Sequence, residues 1–271
     1  MDPALDFAVQ LARQTGQVLV EGFRASRSPA SLKADHSVVT AADLAADQMI
    51  YHAVQRTYPD DLYLSEELQP KLVVPSGKEI PAVWVVDPID GTTNFSLGLH
   101  IWGVLVVRLI HGQPEVAAMY FPLLDEMFTA QREGGAYLNG QRVQVLSPES
   151  NGPASFFACC TRTFRNYQVN IPFKPRILGS TAYNLCCVGR SIAVIGFEAT
   201  PKIWDIAGAW LFVREAGGWI ETYDGSQPFP VRFGTDYSEM NYPILAAATQ
   251  ELVTRWRPEI QPRQNTLPNL Y

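Results

Sequence analysis

Cysteine is scarce in this 271-residue chain, and the four present form two adjacent pairs, Cys159-Cys160 and Cys186-Cys187. Neighbouring cysteines seldom bridge to each other, and neither pair has the Cys-x-x-Cys spacing of a zinc site. Buried free thiols in a reducing compartment are therefore expected. A long Lys/Arg cluster is also missing, and the formal net charge is −6. Nucleic-acid binders rest on basic side chains that meet phosphates, so that class is disfavoured. No apolar stretch is long enough for a membrane span: the longest, Ile101 to Val107, is stopped by Arg108. The start, Met1-Asp2-Pro3, lacks the positive charge and apolar run of a signal peptide. A soluble cytoplasmic protein with no membrane partner is the expectation.

Several catalytic motifs are absent as well. There is no Gly-x-x-x-x-Gly-Lys-Ser/Thr loop, no Gly-x-Gly-x-x-Gly fingerprint and no Gly-x-Ser-x-Gly elbow. The four histidines, His36, His52, His100 and His111, lack metal-ligand spacing.

What remains is an ordinary globular balance, 47% hydrophobic and 18% charged, enough for one large domain or two merged halves. Leu5, Ala8, Val9, Ala12 and Val20 predict a helix over 4–24. Thr40-Ala41-Ala42-Asp43 reads as a capping box that opens a second helix running to about Gln55. An extended piece follows at 62–67, then a polar loop at 68–80. From 83 to 145 the pattern is an antiparallel meander: Val83–Val86, Trp102–Ile110, Glu115–Tyr120, Glu126–Gln131, and a tight Asn139-Gly140 hairpin. The second half alternates strands at Ser155–Cys160, Ile192–Phe197 and Ile244–Ala248 with helices at 180–189, 205–216 and 249–256. The helix at 205–216 is apolar nearly all round and should be buried. These patterns divide the chain into an α+β half at 1–145, an α/β half at 146–257 and a loose tail at 258–271, within one compact unit.

The chemistry concentrates in Trp84-Val85-Val86-Asp87-Pro88-Ile89-Asp90-Gly91-Thr92-Thr93-Asn94-Phe95. Asp87 and Asp90 are hard oxygen donors of the kind magnesium prefers. Gly91 lets backbone amides approach an oxyanion, and Thr92 adds a hydroxyl. Pro88 biases Asp87 toward an extended conformation. Because the preceding strand is apolar, both acids should emerge at a core edge, where uncompensated burial is costly. Glu66 ends the apolar run 62–64, where only one of Glu66 and Glu67 can face the site. Asp205 opens the buried helix after Trp204, as a cap, as a ligand or as both. An aspartyl-phosphate enzyme resembles Asp-x-Asp-x-Thr, and the spacing here is one residue too long.

Asp87-Pro88-Ile89-Asp90-Gly91-Thr92-Thr93-Asn94-Phe95 resembles the first signature of the inositol monophosphatase family. Trp204-Asp205-Ile206-Ala207-Gly208-Ala209, with Glu215-Ala216-Gly217-Gly218, resembles the second. Val39-Thr40-Ala41-Ala42-Asp43 and Ser65-Glu66-Glu67 match two further blocks in order, so the likeness spans roughly residues 5–256. The resemblance implies a mixed α/β fold, a layered αβαβα sandwich of the inositol monophosphatase and fructose-1,6-bisphosphatase type. It also implies a phosphomonoesterase, homodimeric and lithium-sensitive, with two or three Mg²⁺ per active site. Carried over by position, Glu66, Asp87 and the Ile89 carbonyl would hold one Mg²⁺. Asp90 would bridge to a second, completed by Asp87 or Asp205. The amides of Gly91 and Thr92 would hold the phosphate, and Thr92, bonded to Asp43, would orient the attacking water with Glu66. Independently, four carboxylates from separate segments cannot gather without cations.

On the substrate side the resemblance places Glu198, a hydroxyl-binding residue of inositol-type enzymes, together with Ser180 and Thr181. The Gly-Thr-Thr-Asn-Phe ending is similar to the inositol-phosphate and histidinol-phosphate branches. The phosphoadenosine-phosphate branch more often carries Lys where this chain has Thr93. Val194 replaces an aspartate common in inositol enzymes, Arg190-Ser191-Ile192 replaces a small Gly/Ala segment, and Thr181 stands where alanine is frequent. A Mg²⁺-dependent phosphatase of a small phosphorylated metabolite is expected, inositol 1-phosphate first. Histidinol phosphate, a sugar bisphosphate, 3′-phosphoadenosine 5′-phosphate and a low-turnover regulatory protein are the alternatives.

Overall fold

The computed structural model describes residues 2–25, 30–32, 38–72, 82–146 and 155–264. Helix α1 (Pro3–Ala25) buries Leu5, Ala8, Leu11, Ala12 and Leu19 along one stripe. A short antiparallel pair, β1 (Ala30–Leu32) and β2 (Val38–Thr40), leads into α2 (Ala41–Thr57), which Thr40 caps. Next come β3 (Leu62–Ser65), β4 (Ala82–Asp90) and the short helix α3 (Thr92–Leu97). The meander continues through β5 (Gly103–Ile110), β6 (Gln113–Phe121), β7 (Glu126–Gln131), β8 (Gly135–Leu138) and β9 (Gln141–Val143). These strands form a seven-stranded sheet in the order β3-β4-β5-β6-β7-β8-β9, antiparallel except for the parallel β3–β4 pair. Asn139 (φ 49°) and Gly140 (φ 77°) turn the β8–β9 hairpin in the left-handed region, as their pairing predicts.

The remaining elements are β10 (Phe156–Cys159), α4 (Thr161–Asn166), β11 (Tyr167–Val169), β12 (Pro175–Arg176) and α5 (Thr181–Gly189). After them follow β13 (Ala193–Glu198), α6 (Ile203–Glu215), β14 (Trp219–Thr222), β15 (Ile244–Ala247), α7 (Gln250–Trp256) and β16 (Ile260–Pro262). A five-stranded mixed sheet runs β12-β10-β13-β15-β14. Helices α1 and α2 cover one face of the first sheet, and α5 and α6 lie between the sheets. Helices α4 and α7 cover the far face of the second. This is the αβαβα layering expected. Strand β4 shows why it holds together: Val83 and Val85 enter the core between the sheets, while Trp84 and Val86 enter the core under α1 and α2.

Some expectations are corrected. The strand read as Val83–Val86 extends to Asp90, because the two acids lie inside the ladder: Asp87 pairs with Leu105 and Asp90 with Gly103 around a bulge. Helix α3 has too few residues for periodicity to reveal it. The tail is not loose over its described part: β16 pairs with β11, Ile260 is buried, and the Tyr223 hydroxyl donates to the Ile260 carbonyl at 2.5 Å. Residues 265–271, His36 and most of the loop expected at 68–80 lie outside the described residues. All four cysteines are free thiols, and among the described residues no helix is long and apolar enough to cross a membrane.

Candidate metal and phosphate site

Three carboxylates converge at one end of β4. Parallel pairing sets Ser65 opposite Val86, so the next residue of each strand, Glu66 and Asp87, emerges side by side. The Glu66 amide continues the ladder to the Val86 carbonyl at 3.3 Å. Asp205 comes from the first turn of α6. One oxygen from each of Glu66, Asp87 and Asp205 lies within 4.8 Å of the others. Glu67, half-buried, stands outside this group. Asp205 is not the N-cap of α6 but sits three residues past it, and its Oδ2 accepts the amide of the N-cap, Lys202, at 2.8 Å. One carboxylate thus closes the helix end and faces the cluster.

Electrostatics follow from this crowding. Burial, then repulsion from Glu66, Asp90, Asp205 and Asp43, pushes the Asp87 carboxyl well above its ordinary range. Asp205 is pushed well up by burial, then by Asp90 and Glu66. Crowded carboxyls relieve their repulsion by keeping protons. A cation does the same work without the proton. The donors are all oxygens and mostly carboxylate, with no histidine or thiol among them, which suits Mg²⁺ rather than zinc. The residues present therefore fit a divalent cation.

Asp90 lies beside this trio but is turned to a different task. Its Oδ2 accepts the Ser180 hydroxyl at 2.5 Å and the Ala182 amide at 2.9 Å; its Oδ1 accepts the Thr181 amide at 3.0 Å. These donors offset part of the burial, and its carboxyl is raised only to about 6. Ser180 and Thr181, expected at the substrate, are here the N-terminus of α5 clasping Asp90. The Thr92 hydroxyl has two acceptors in reach for its one proton, Asp43 Oδ1 at 3.1 Å and the Ile89 carbonyl at 3.0 Å. Gly91, the N-cap of α3, has φ 102°, and an added Cβ would meet the carbonyls of Ile101 at 3.0 Å and Gly179 at 3.1 Å. Only glycine suits that turn. Behind the trio, Glu198 is buried, accepts the Asn184 amide at 2.6 Å and is raised by burial to about 8.

One residue of the neighbourhood escaped sequence reasoning. Asp47, buried on α2, accepts the Tyr63 hydroxyl at 2.5 Å and the amides of Glu67 and Leu68 at 3.2 and 3.0 Å. The available signal was an acid one helical turn after Asp43, on the apolar side of α2.

The sequence profile of the inositol monophosphatase family matches residues 1–261. A protein named Nus factor SuhB from Pasteurella multocida (strain Pm70) is 32% identical over 273 residues, covering 97% of this chain and 97% of that one. Inositol monophosphatase 1 of Sus scrofa is 28% identical, covering 95% of this chain and 94% of its own. Among solved structures, the extragenic suppressor protein suhB from Bartonella henselae superposes with a TM-score of 0.76 at 24% identity, over 94% of this chain and 97% of that one. At that identity the structural likeness is one of fold.

Proposed function

The chain belongs to the inositol monophosphatase family, and from that premise we propose that it is a Mg²⁺-dependent phosphomonoesterase of a small polyol or sugar phosphate, inositol 1-phosphate first. The observation that carries this reading is the convergence of Glu66, Asp87 and Asp205 within 4.8 Å beside the Thr92–Asp43 hydrogen bond. Glu66, Asp87, Asp205 and the Ile89 carbonyl would hold the cations, with Asp90 completing the set through lone pairs its clasp leaves over. Bound divalent cations supply Lewis acidity, promoting ionisation of water and stabilising a leaving alkoxide. The amides at the start of α3 lack intrahelical acceptors and are set to receive phosphate oxygens. With the Ile89 carbonyl turned to a cation, the Thr92 hydroxyl would donate to Asp43 and keep a lone pair with which to orient the attacking water. Water oxygen bonds to phosphorus, the ester P–O bond breaks, and the departing alcohol takes up a proton. Glu198, buried and hydrogen-bonded to Asn184, would hold a hydroxyl of the alcohol.

We also propose a homodimer. Leu97, Leu99 and Ile177 are 61%, 53% and 47% exposed. Their segments are tied together by Asn94, whose side-chain amide donates to the Ile101 and Leu178 carbonyls at 2.7 and 2.8 Å. An apolar patch of this kind suits a second copy. The identity to a protein named Nus factor SuhB favours one other reading, a regulatory protein that works by binding. The crowded acids weigh against it, because without turnover nothing maintains a cluster that repels itself.

The test is phosphate release from inositol 1-phosphate, histidinol phosphate, a sugar bisphosphate and 3′-phosphoadenosine 5′-phosphate, with Mg²⁺ and with EDTA. Mg²⁺-dependent release with the highest kcat/KM for inositol 1-phosphate is expected. No release from any of the four would overturn the enzyme reading in favour of the binding one.

A further inference from the structure

Helix α2 carries two acids one turn apart, Asp43 and Asp47, at 1% and 0% exposure. The i, i+4 spacing puts both on one face. Asp43 takes the Thr92 hydroxyl. Asp47 takes the segment that carries Glu66. Its Oδ2 accepts the amides of Glu67 and Leu68, the two residues just past Glu66. Its Oδ1 accepts the hydroxyl of Tyr63, three residues before Glu66. β3 ends at Ser65; the Glu66 amide still reaches the Val86 carbonyl, and residues 66–68 bend away from the ladder. Successive amides converging on one anion are what hold such a bend. Glu66 is thus bracketed in sequence by residues that all bond to a single buried carboxylate.

We propose that Asp47 is a positioning residue: it is the acceptor around which the 66–68 bend folds, and by fixing that bend it sets the Glu66 carboxylate against Asp87 and Asp205. Helix α2 then acts as a bracket with two arms, one aiming Thr92 and the other aiming Glu66. The inference rests on the reading of Glu66, Asp87 and Asp205 as a cation site. A merely structural Asp47 would serve the fold and leave the site's affinity for cations alone.

The test uses the full chain and Mn²⁺ as a paramagnetic probe, with binding followed by electron paramagnetic resonance and folding by thermal melts in EDTA. Asp47→Ala removes the acceptor and should weaken Mn²⁺ binding about tenfold or more, the scale of losing a group that orients a ligand. Asp47→Asn should bind close to the native protein, because its Oδ1 can accept both amides while its Nδ2 faces the Tyr63 oxygen. If Asp47→Ala does not fold, Leu68→Pro deletes one of the two amides from the other side and should weaken Mn²⁺ binding several-fold. Native affinity in folded Asp47→Ala, or failing that in Leu68→Pro, overturns the positioning role alone. Loss of binding in Asp47→Asn as severe as in Asp47→Ala also overturns it, since charge rather than bend geometry would then matter. Absence of Mn²⁺ binding by the native protein overturns the cation site and this inference together.

Discussion

Ser180 and Asp90 are 90 residues apart in the chain and meet hydroxyl to carboxylate at 2.5 Å. The contact locks the last residue of β4, in the first sheet, to the N-cap of α5, which lies between the sheets. A helix N-terminus offers amides with no intrahelical acceptor and a partial positive charge, so it is a favourable place for a buried anion. That explains the contrast between two acids buried alike in one strand. Asp87, without these donors, is pushed well above its ordinary range; Asp90 is raised only to about 6.

Ser180→Ala removes a hydroxyl that serves two partners, Asp90 at 2.5 Å and the Tyr183 amide at 3.1 Å. Loss of an N-cap of this type costs about 1–2 kcal/mol. Chemical unfolding should show a midpoint lowered accordingly with an unchanged slope. A variant as stable as the native protein would mean that the cap is idle.

Asp205→Asn should act with opposite signs on the two forms of the protein. Without cations, neutralising one member of a repelling trio relieves Asp87 and Glu66, and the amide oxygen can still accept the Lys202 N–H. A gain of about 1 kcal/mol, or about 2–4 °C in Tm, is expected in EDTA. With Mg²⁺ the native protein should gain Tm by mass action while the variant gains little. A variant that Mg²⁺ stabilises as strongly as the native protein would remove Asp205 from the cation set.

The layering and most helices and strands were legible because their burial is periodic. Helix α6, apolar nearly all round, is buried between the sheets, and the Asn139-Gly140 turn falls where its left-handed preference puts it. Glu66 and Asp87 were readable as acids at the end of apolar runs, and Asp205 as the acid that opens a buried helix. What remained hidden depends on partners far away in sequence. No local pattern tells that Ser180 and Thr181 would turn to Asp90, or that Asp47 would hold the bend after β3. The pairing of β16 with β11 was hidden too, because three residues with Pro262 among them carry almost no strand signal.

Glu198 gives the protein a pH signature. Its ordinary value of 4.5 is raised by burial to about 8. Between those values the folded protein keeps a proton that the unfolded chain releases, so stability falls as pH rises through this window and the whole cost is present above about pH 8. Glu198→Gln stays neutral throughout and keeps an oxygen for the Asn184 amide. In EDTA, the Tm of the variant minus that of the native protein should therefore grow from pH 5 to pH 8. Parallel curves across that range would mean that Glu198 titrates at its ordinary value.

The apolar patch near α3 makes a separate prediction. Leu99 projects from the loop after α3, is 53% exposed, and stands on a segment that Asn94 ties to the one carrying Ile177. Leaving such side chains in water forgoes about 1.5–3 kcal/mol each relative to full burial. A second copy of the chain, meeting the patch by two-fold symmetry, would bury each residue twice. Leu99→Asp would bring two like charges together across that axis while costing the isolated chain little, because the side chain already faces solvent. Sedimentation velocity should show the native protein as a dimer and the variant as a monomer, with Tm in dilute solution close to that of the separated native chain. If the native protein sediments as a monomer at high concentration, or Leu99→Asp remains a dimer, the interface lies elsewhere or does not exist. The Asn94 bonds make the result relevant to the proposed phosphate site, since α3 opens at Gly91 and carries Leu97.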